Sequence, residues 1–275
     1  MTETFDFQGF AIPVDLAILT GGGPDTWEGI SRAHMDAYSR YAPIRAGHRV
    51  VEVGCGVGRD AIPLVEILGT GGAYVGVDVS GPSIEWCQRS IAAAHPNFSF
   101  HHLNVRSAFY NPGGTLGARE VTLPIGSGQV DRAILQSVFT HMFEADIVHY
   151  LRELRRVLRP GGLIFASFFV LDDEALSLAE RTGQGLRFAY PRSNGCRIDD
   201  PATPEGAVGY SPGAIDRMLA AAGLRLAQPV HRGSWSGRDG VPDGQDIAVL
   251  ERAGVVSGIG ARAAAVLRRL RRRGG

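Results

Sequence analysis

Val50-Val51-Glu52-Val53-Gly54-Cys55-Gly56-Val57-Gly58-Arg59-Asp60 decides how this chain folds. The apolar β-formers make a short buried strand, and glycines at alternate positions then turn the chain into a helix read from Ala61 to Leu68. A strand, a glycine turn and a helix N-terminus together form a cradle for a polar ligand. A dinucleotide fingerprint, G-x-G-x-x-G, needs its third glycine where this chain has Arg59. Glu52 lies two residues ahead of the first glycine. A carboxylate there repels a pyrophosphate and attracts an ammonium or sulfonium group.

A second strand, Ala73-Tyr74-Val75-Gly76-Val77-Asp78, ends in an acid about twenty residues past the turn, the position that accepts ribose hydroxyls. Further on, strand four is expected at Asp131 to about Leu135, and helix Ala145 to Leu158 carries Ile147, Leu151, Leu154, Val157 and Leu158 at three-and-four spacing. That helix stops at Arg159-Pro160-Gly161-Gly162, and strand five is expected from Leu163 to Leu171.

The acidic-x-Gly-x-Gly-x-Gly motif, Asp78 and the run Leu154 to Leu163 together resemble class I S-adenosylmethionine-dependent methyltransferases, over about residues 45 to 170. The resemblance implies a Rossmann-like α/β fold: a seven-stranded, mostly parallel sheet with helices on both faces and an antiparallel last strand. S-adenosylmethionine is then the cofactor and S-adenosylhomocysteine the product. The implied cofactor residues are Glu52, Gly54, Cys55, Gly56, Gly58, Asp78, Val79, Asn104, Val105 and Gln136. Asn104 takes the position at the end of strand three that holds the adenine amino group in the resembling family. Strands six and seven are expected at Leu224 to His231 and Asp246 to Glu251.

The expected organisation is an N-terminal helical cap segment over residues 1–46, a methyltransferase domain over 47–253 with an insertion at about 171–207, and a basic tail over 254–275. Trp27, His34 and Tyr38 share one face of a helix read from Thr26 to Tyr41, as ligand contacts or as a packing stripe. The loop 106–128 is a candidate substrate wall. The arginine-rich tail reads as a solvated segment, with anionic lipid or RNA as the other reading.

A content of 44% hydrophobic and 20% charged residues over 275 suits one well-buried α/β domain with insertions. Net charge is zero and the 28 basic residues are all arginine, which gives no overall pull toward nucleic acid. Cys55, Cys87 and Cys196 lack paired spacing, which argues against a disulfide framework or a zinc site. No apolar run reaches the roughly eighteen residues of a membrane span, and no signal-like N-terminus is read, so the expected compartment is the cytoplasm.

A hydroxyl acceptor needs a base, because a neutral alcohol is a poor nucleophile. His141, just past strand four, is the candidate, with Glu144 three residues on to orient it. The bland alternative is a helix-start histidine satisfied by Glu144 or water. N-methyltransferases of this fold commonly carry an Asn- or Asp-Pro-Pro-Tyr motif where this chain has Gln136-Ser137-Val138-Phe139. The run Ser137 to His141 and the turn Gly233-Ser234-Trp235-Ser236-Gly237, which brings Trp235 toward the acceptor, also resemble actinobacterial sugar and polysaccharide O-methyltransferases. That implies O-methylation of a sugar or oligosaccharide. The alternatives are a natural-product aglycone or phenol O-methyltransferase, and a non-catalytic S-adenosylmethionine-binding protein. Magnesium is compatible with Asp172-Asp173 or Asp199-Asp200 but is not predicted, and no metal ligand is assigned. The expected partner is a small-molecule or oligosaccharide acceptor, without nucleic acid, and a homodimer stays open.

Overall fold

The computed structural model describes residues 3–183 and 185–254. The arginine-rich run at 263–273 lies outside the described residues. The chain opens on a hairpin, β1 (Thr4–Phe7) and β2 (Phe10–Pro13), followed by α1 (Val14–Leu19) and α2 (Pro24–Tyr41). The 1–46 segment was expected as a helical cap, and the hairpin adds two strands that were not read. Its period-two pattern over four residues per strand is too short to stand out. Pro24 begins α2 because proline fits the first helical position, where no N–H partner is needed.

Then follow β3 (Arg49–Val53), α3 (Ala61–Leu68), β4 (Ala73–Asp78), α4 (Gly81–Cys87), β5 (Phe98–His102), β6 (Val130–Leu135), α5 (Glu144–Val157) and β7 (Leu158–Phe168). The insertion holds α6 (Asp173–Thr182), β8 (Tyr190–Pro191) and β9 (Cys196–Ile198). β10 (Val208–Tyr210), α7 (Pro212–Ala222), β11 (Leu224–Leu226) and β12 (Asp246–Arg252) complete the described chain.

Seven strands form one sheet in the order β11-β12-β7-β6-β3-β4-β5. β3 to β7 run parallel, and β12 lies antiparallel to both of its neighbours. Helices cover both faces, so strand residues alternate between two apolar clusters. Val51, Ala133 and Ile164 face α5 and α7, while Val50, Ile134 and Phe165 face α2 and α3. This is the expected Rossmann-like fold. The N-terminal segment is part of its core: Phe7, Ile12, Trp27 and Tyr38 are buried in the same cluster as Val50 and Tyr74.

Strand five begins earlier than expected, strand six ends already at Leu226, and two further elements are irregular. The helix after Asp78 gives way at Gln88 to a π-helical turn, Gln88–Ala92, which sets Ile91 beneath Gly58. β5 stops at His102, where Leu103 N bends back to donate to Asp78 O. β7 begins at Leu158, and the Arg159-Pro160-Gly161-Gly162 stop is an irregular entry inside the strand, bent at Gly161 with φ 77°. The insertion forms a three-stranded antiparallel sheet, β10-β9-β8, bridged to the main body by Val170 and Tyr210.

The glycine turn is shaped by its own chain. Gly54 and Gly56 have φ of 79° and 50°, where residues with a Cβ are strained. A Cβ on Gly56 would sit 2.4 Å from Thr20, and one on Gly54 2.6 Å from Val138. Protein neighbours therefore exclude side chains there. Gly56→Ala is expected to lower stability by about 2–4 kcal/mol from φ strain and overpacking together. A denaturant cycle with Thr20→Ala, which empties part of that space, is expected to return about 1 kcal/mol as coupling.

Candidate active site

A cavity of about 300 Å³ opens between the carboxyl ends of β3 and β6, where the strand order reverses. Glu52, Gly54, Cys55, Gly56, Asp78, Val79, Val105, Gln136 and His141 all line it. Gly58 does not: it packs on Ile91, and its N–H donates to Cys55 O at 2.9 Å.

Asn104 also lies off the cavity wall. Its side chain donates to Thr115 Oγ1 at 3.0 Å and accepts from Asn111 Nδ2 at 3.2 Å, which ties it to the loop instead of the cavity. Leu103 and Val105, on either side of it, face the cavity. Glu144 lines a separate surface groove and does not touch His141. The orienting group is the carbonyl of Glu205, which accepts from His141 Nδ1 at 2.9 Å. Trp235 donates from Nε1 to Asp246 at 2.7 Å and packs edge-on to Phe169 and Phe188, away from the cavity. The paired acids also have other tasks. Asp172 caps α6 and pairs with Arg232, Asp199 accepts from Arg187 and Phe188 N–H, and Asp200 accepts from Ala202 N–H. Among the described residues, no group of three or more His, Cys, Asp or Glu is placed to hold a metal ion.

Asp78 ends β4 with both carboxylate oxygens engaged, Oδ2 accepting from Gly56 N and Oδ1 from Ser80 N, each at 2.7 Å. Burial pushes this carboxyl up, and those backbone N–H groups oppose it. A carboxylate has about four acceptor sites, so hydroxyl donors can still be received.

At the other end of the turn, Asp60 is a buried acid that accepts from Tyr38 Oη at 2.6 Å and meets His34 Nδ1 at 2.9 Å. The α2 stripe thus carries two of its partners, while Trp27 is packed beneath Arg59 at 5.3 Å. Burial works to raise the Asp60 carboxyl, but His34, Arg59 and Tyr38 outweigh it and hold it low. Glu52 is the opposite case: burial, reinforced by the charge of Asp60, pushes it well up, although the Tyr74 hydroxyl donates to it. The sequence reading did not assign Asp60, Arg59, Thr20, Ser137 or Glu205 to the site, all of which line the cavity, as does Tyr110 of the loop expected to be a substrate wall. Arg59 and Asp60 directly follow the glycine motif and were the legible ones.

Ser137 has φ 55°, a left-handed backbone in a residue with a side chain. Its N–H donates to Ser167 Oγ at 2.7 Å, and its hydroxyl lies 3.5 Å from His141 Nε2. The remaining wall, Tyr110, Met142, Phe143, Asp146 and Tyr150, is largely aromatic and apolar.

Residues 50–162 match a family model described as a methyltransferase domain. "Methyltransferase GfsG" of Streptomyces halstedii is 34% identical over 50% of this chain and 45% of its own length. "Arsenite methyltransferase" of Aquipseudomonas alcaligenes is 27% identical over 50% of this chain and 39% of its own. The chain thus spans less than half the length of these relatives. Among solved structures, a SAM-dependent methyltransferase from Leishmania major superposes with TM-score 0.54 at 15% identity, covering 87% of this chain and 78% of that one. The CcbJ methyltransferase of Streptomyces caelestis gives 0.53 at 18%, covering 88% and 96%. Residues 50–162 thus resemble a methyltransferase domain, and the fold is one shared with SAM-dependent methyltransferases. S-adenosylmethionine is the cofactor that this match and fold imply.

Glu52→Gln removes an acid whose ionised form burial penalises. Its folded pKa lies above the unfolded value, so ionisation weakens the fold as pH rises past about 4.5. At pH 8 without cofactor the variant is expected to melt about 2–4 °C higher than wild type. At pH 4, where Glu52 is protonated folded and unfolded, the gain disappears. Melting curves at the two pH values check both signs.

Proposed function

We propose that the chain is an S-adenosylmethionine-dependent O-methyltransferase acting on a hydroxyl of a sugar or other hydroxylated small molecule, with His141 as general base. One observation carries this reading: an imidazole whose Nδ1 is fixed on a carbonyl, with Nε2 in the same cavity as Glu52, Asp78 and Gln136. A carbonyl only accepts, so Nδ1 holds the proton and Nε2 keeps its lone pair.

The cavity suits the cofactor. Asp78 supplies acceptors for ribose hydroxyls, and Val79, Leu103 and Val105 supply an apolar slot for a base. Glu52 and Asp60 supply negative charge for a cationic amino-acid end. When bound, S-adenosylmethionine supplies a methyl group on a sulfonium, open to in-line displacement. The protein aligns the acceptor oxygen and excludes water, and His141 Nε2 takes its proton as the carbon–oxygen bond forms. Tyr110, Met142 and Phe143 favour an acceptor with an apolar face, which supports an aglycone or phenol as a second reading.

S-adenosylhomocysteine release, followed over mono- and oligosaccharides, phenols and RNA with EDTA or magnesium, tests the assignment. Turnover on hydroxylated small molecules supports it, and turnover on RNA alone overturns it. On a working acceptor, His141→Asn is expected to lower kcat by roughly 10²–10⁴ while S-adenosylhomocysteine affinity stays within about twofold. Unchanged kcat removes His141 from the mechanism.

A further inference from the structure

Three polar side chains meet beside His141 from three adjacent strands of the sheet. Ser137 follows β6, Ser167 lies near the end of β7, and Gln245 immediately precedes β12. Ser167 Oγ is 2.6 Å from Gln245 Oε1, and Gln245 Nε2 is 2.9 Å from Ser137 Oγ. Ser137 Oγ in turn lies 3.3 Å from Thr140 Oγ1 and 3.5 Å from His141 Nε2.

The direction of this chain is determined by its acceptors. Ser167 Oγ accepts the Ser137 N–H, and its side chain is fully buried, so its own hydrogen needs an acceptor, which Gln245 Oε1 provides. The Gln245 amide must then present Nε2, a donor, to Ser137. A hydroxyl that accepts from Gln245 still has one hydrogen to give and one lone pair free. Its hydrogen has two acceptors in reach, Thr140 and His141. With the hydrogen on His141 Nε2, Ser137 holds the neutral imidazole at rest, and it turns away before Nε2 takes the acceptor's proton. Turned to Thr140, it leaves a lone pair for an Nε2–H, so one hydroxyl serves both protonation states of the imidazole.

We infer that Gln245 and Ser137 are positioning residues for His141, forming a relay from Ser167 through Gln245 to Ser137 that fixes the polarity of the base. The inference rests on the assignment of His141 as base. The left-handed backbone of Ser137 is the local strain that points its hydroxyl into the relay.

Gln245→Glu reverses the relay. A carboxylate cannot donate, so the Ser137 hydrogen turns to residue 245 and Ser137 becomes only an acceptor toward Nε2, which favours the protonated imidazole. Other charged or titratable groups of the cavity are Arg106 and Tyr110 of the loop after β5, Asp146 and Tyr150 of α5, Glu205 of the insertion, and Glu52, Cys55, Arg59, Asp60 and Asp78 of the cofactor end. They are the same in every variant compared.

The test is nitrogen NMR of labelled histidine in the full chain with S-adenosylhomocysteine present, the His141 signal being assigned by its loss in His141→Asn. Wild type is expected to show the Nδ1–H neutral tautomer. Gln245→Glu is expected to raise the His141 midpoint by roughly one pH unit. Adding Ser137→Ala to Gln245→Glu is expected to remove a clear part of that rise, the remainder being the direct field of the new carboxylate. S-adenosylhomocysteine affinity, read by calorimetry, stays within about twofold and reports an intact fold. An unmoved midpoint in Gln245→Glu overturns the relay, as does a rise left undiminished without the Ser137 hydroxyl or an Nε2–H tautomer in wild type. Full turnover by His141→Asn overturns the base assignment and the relay with it, whereas a failed relay alone leaves the turnover loss in place.

Discussion

Asp60 is a carboxylate without solvent access at the start of α3, and the geometry of the cofactor end follows from how its charge is met. Tyr38 and His34 reach it from α2, and Arg59 lies beside it in the chain. An unpaired carboxylate at this depth would be strongly unfavourable. Its partners therefore hold α2 in one place against the glycine turn, reinforced by Ser31 Oγ donating to Arg59 O at 3.2 Å. With α2 fixed, Trp27 and Tyr38 complete the apolar layer on that face of the sheet. A polar requirement and a packing requirement are met by the same helix.

The neighbouring acid shows the opposite balance. Glu52 sits on β3 with one hydroxyl donor, Tyr74, and a negative neighbour, so its ionised form is disfavoured in the folded chain. Two buried acids of unequal proton affinity, side by side, suit a site that meets a cation from outside and is less stable without it.

Much of this was legible in the sequence because local chemistry dictated it. The strand-turn-helix at Val50 to Leu68, the acid ending β4 and the amphipathic period of α5 are patterns of contiguous residues, and the sheet followed from the family resemblance they carry. What escaped depended on contacts across long stretches of chain. Glu205 orients His141 through a backbone carbonyl, which has no sequence signature, and Glu144, the near neighbour by number, faces another groove. For Asn104, a strand end fixes a position but not the direction in which its side chain leaves, and Thr115 with Asn111 ties that side chain into the loop. The glycines were correctly read as a turn, but the space they keep clear is filled by Thr20 and Val138.

Thr20 connects the ends of this account. Its hydroxyl accepts from Val57 N at 3.1 Å and donates to Leu16 O at 2.9 Å, so the end of α1 is hydrogen-bonded to the glycine turn, and Leu19, Thr20 and Gly21 form one wall of the cavity. Detachment of that segment would take away one wall of the cavity. Fluctuations of residues 14–23 and ligand occupancy are then linked through a shared equilibrium, in which occupancy at a hundred times Kd makes the open form about a hundredfold rarer. The N-terminal stretch, outside the matched domain, thereby becomes the part of the chain whose fluctuations report most directly on cofactor supply.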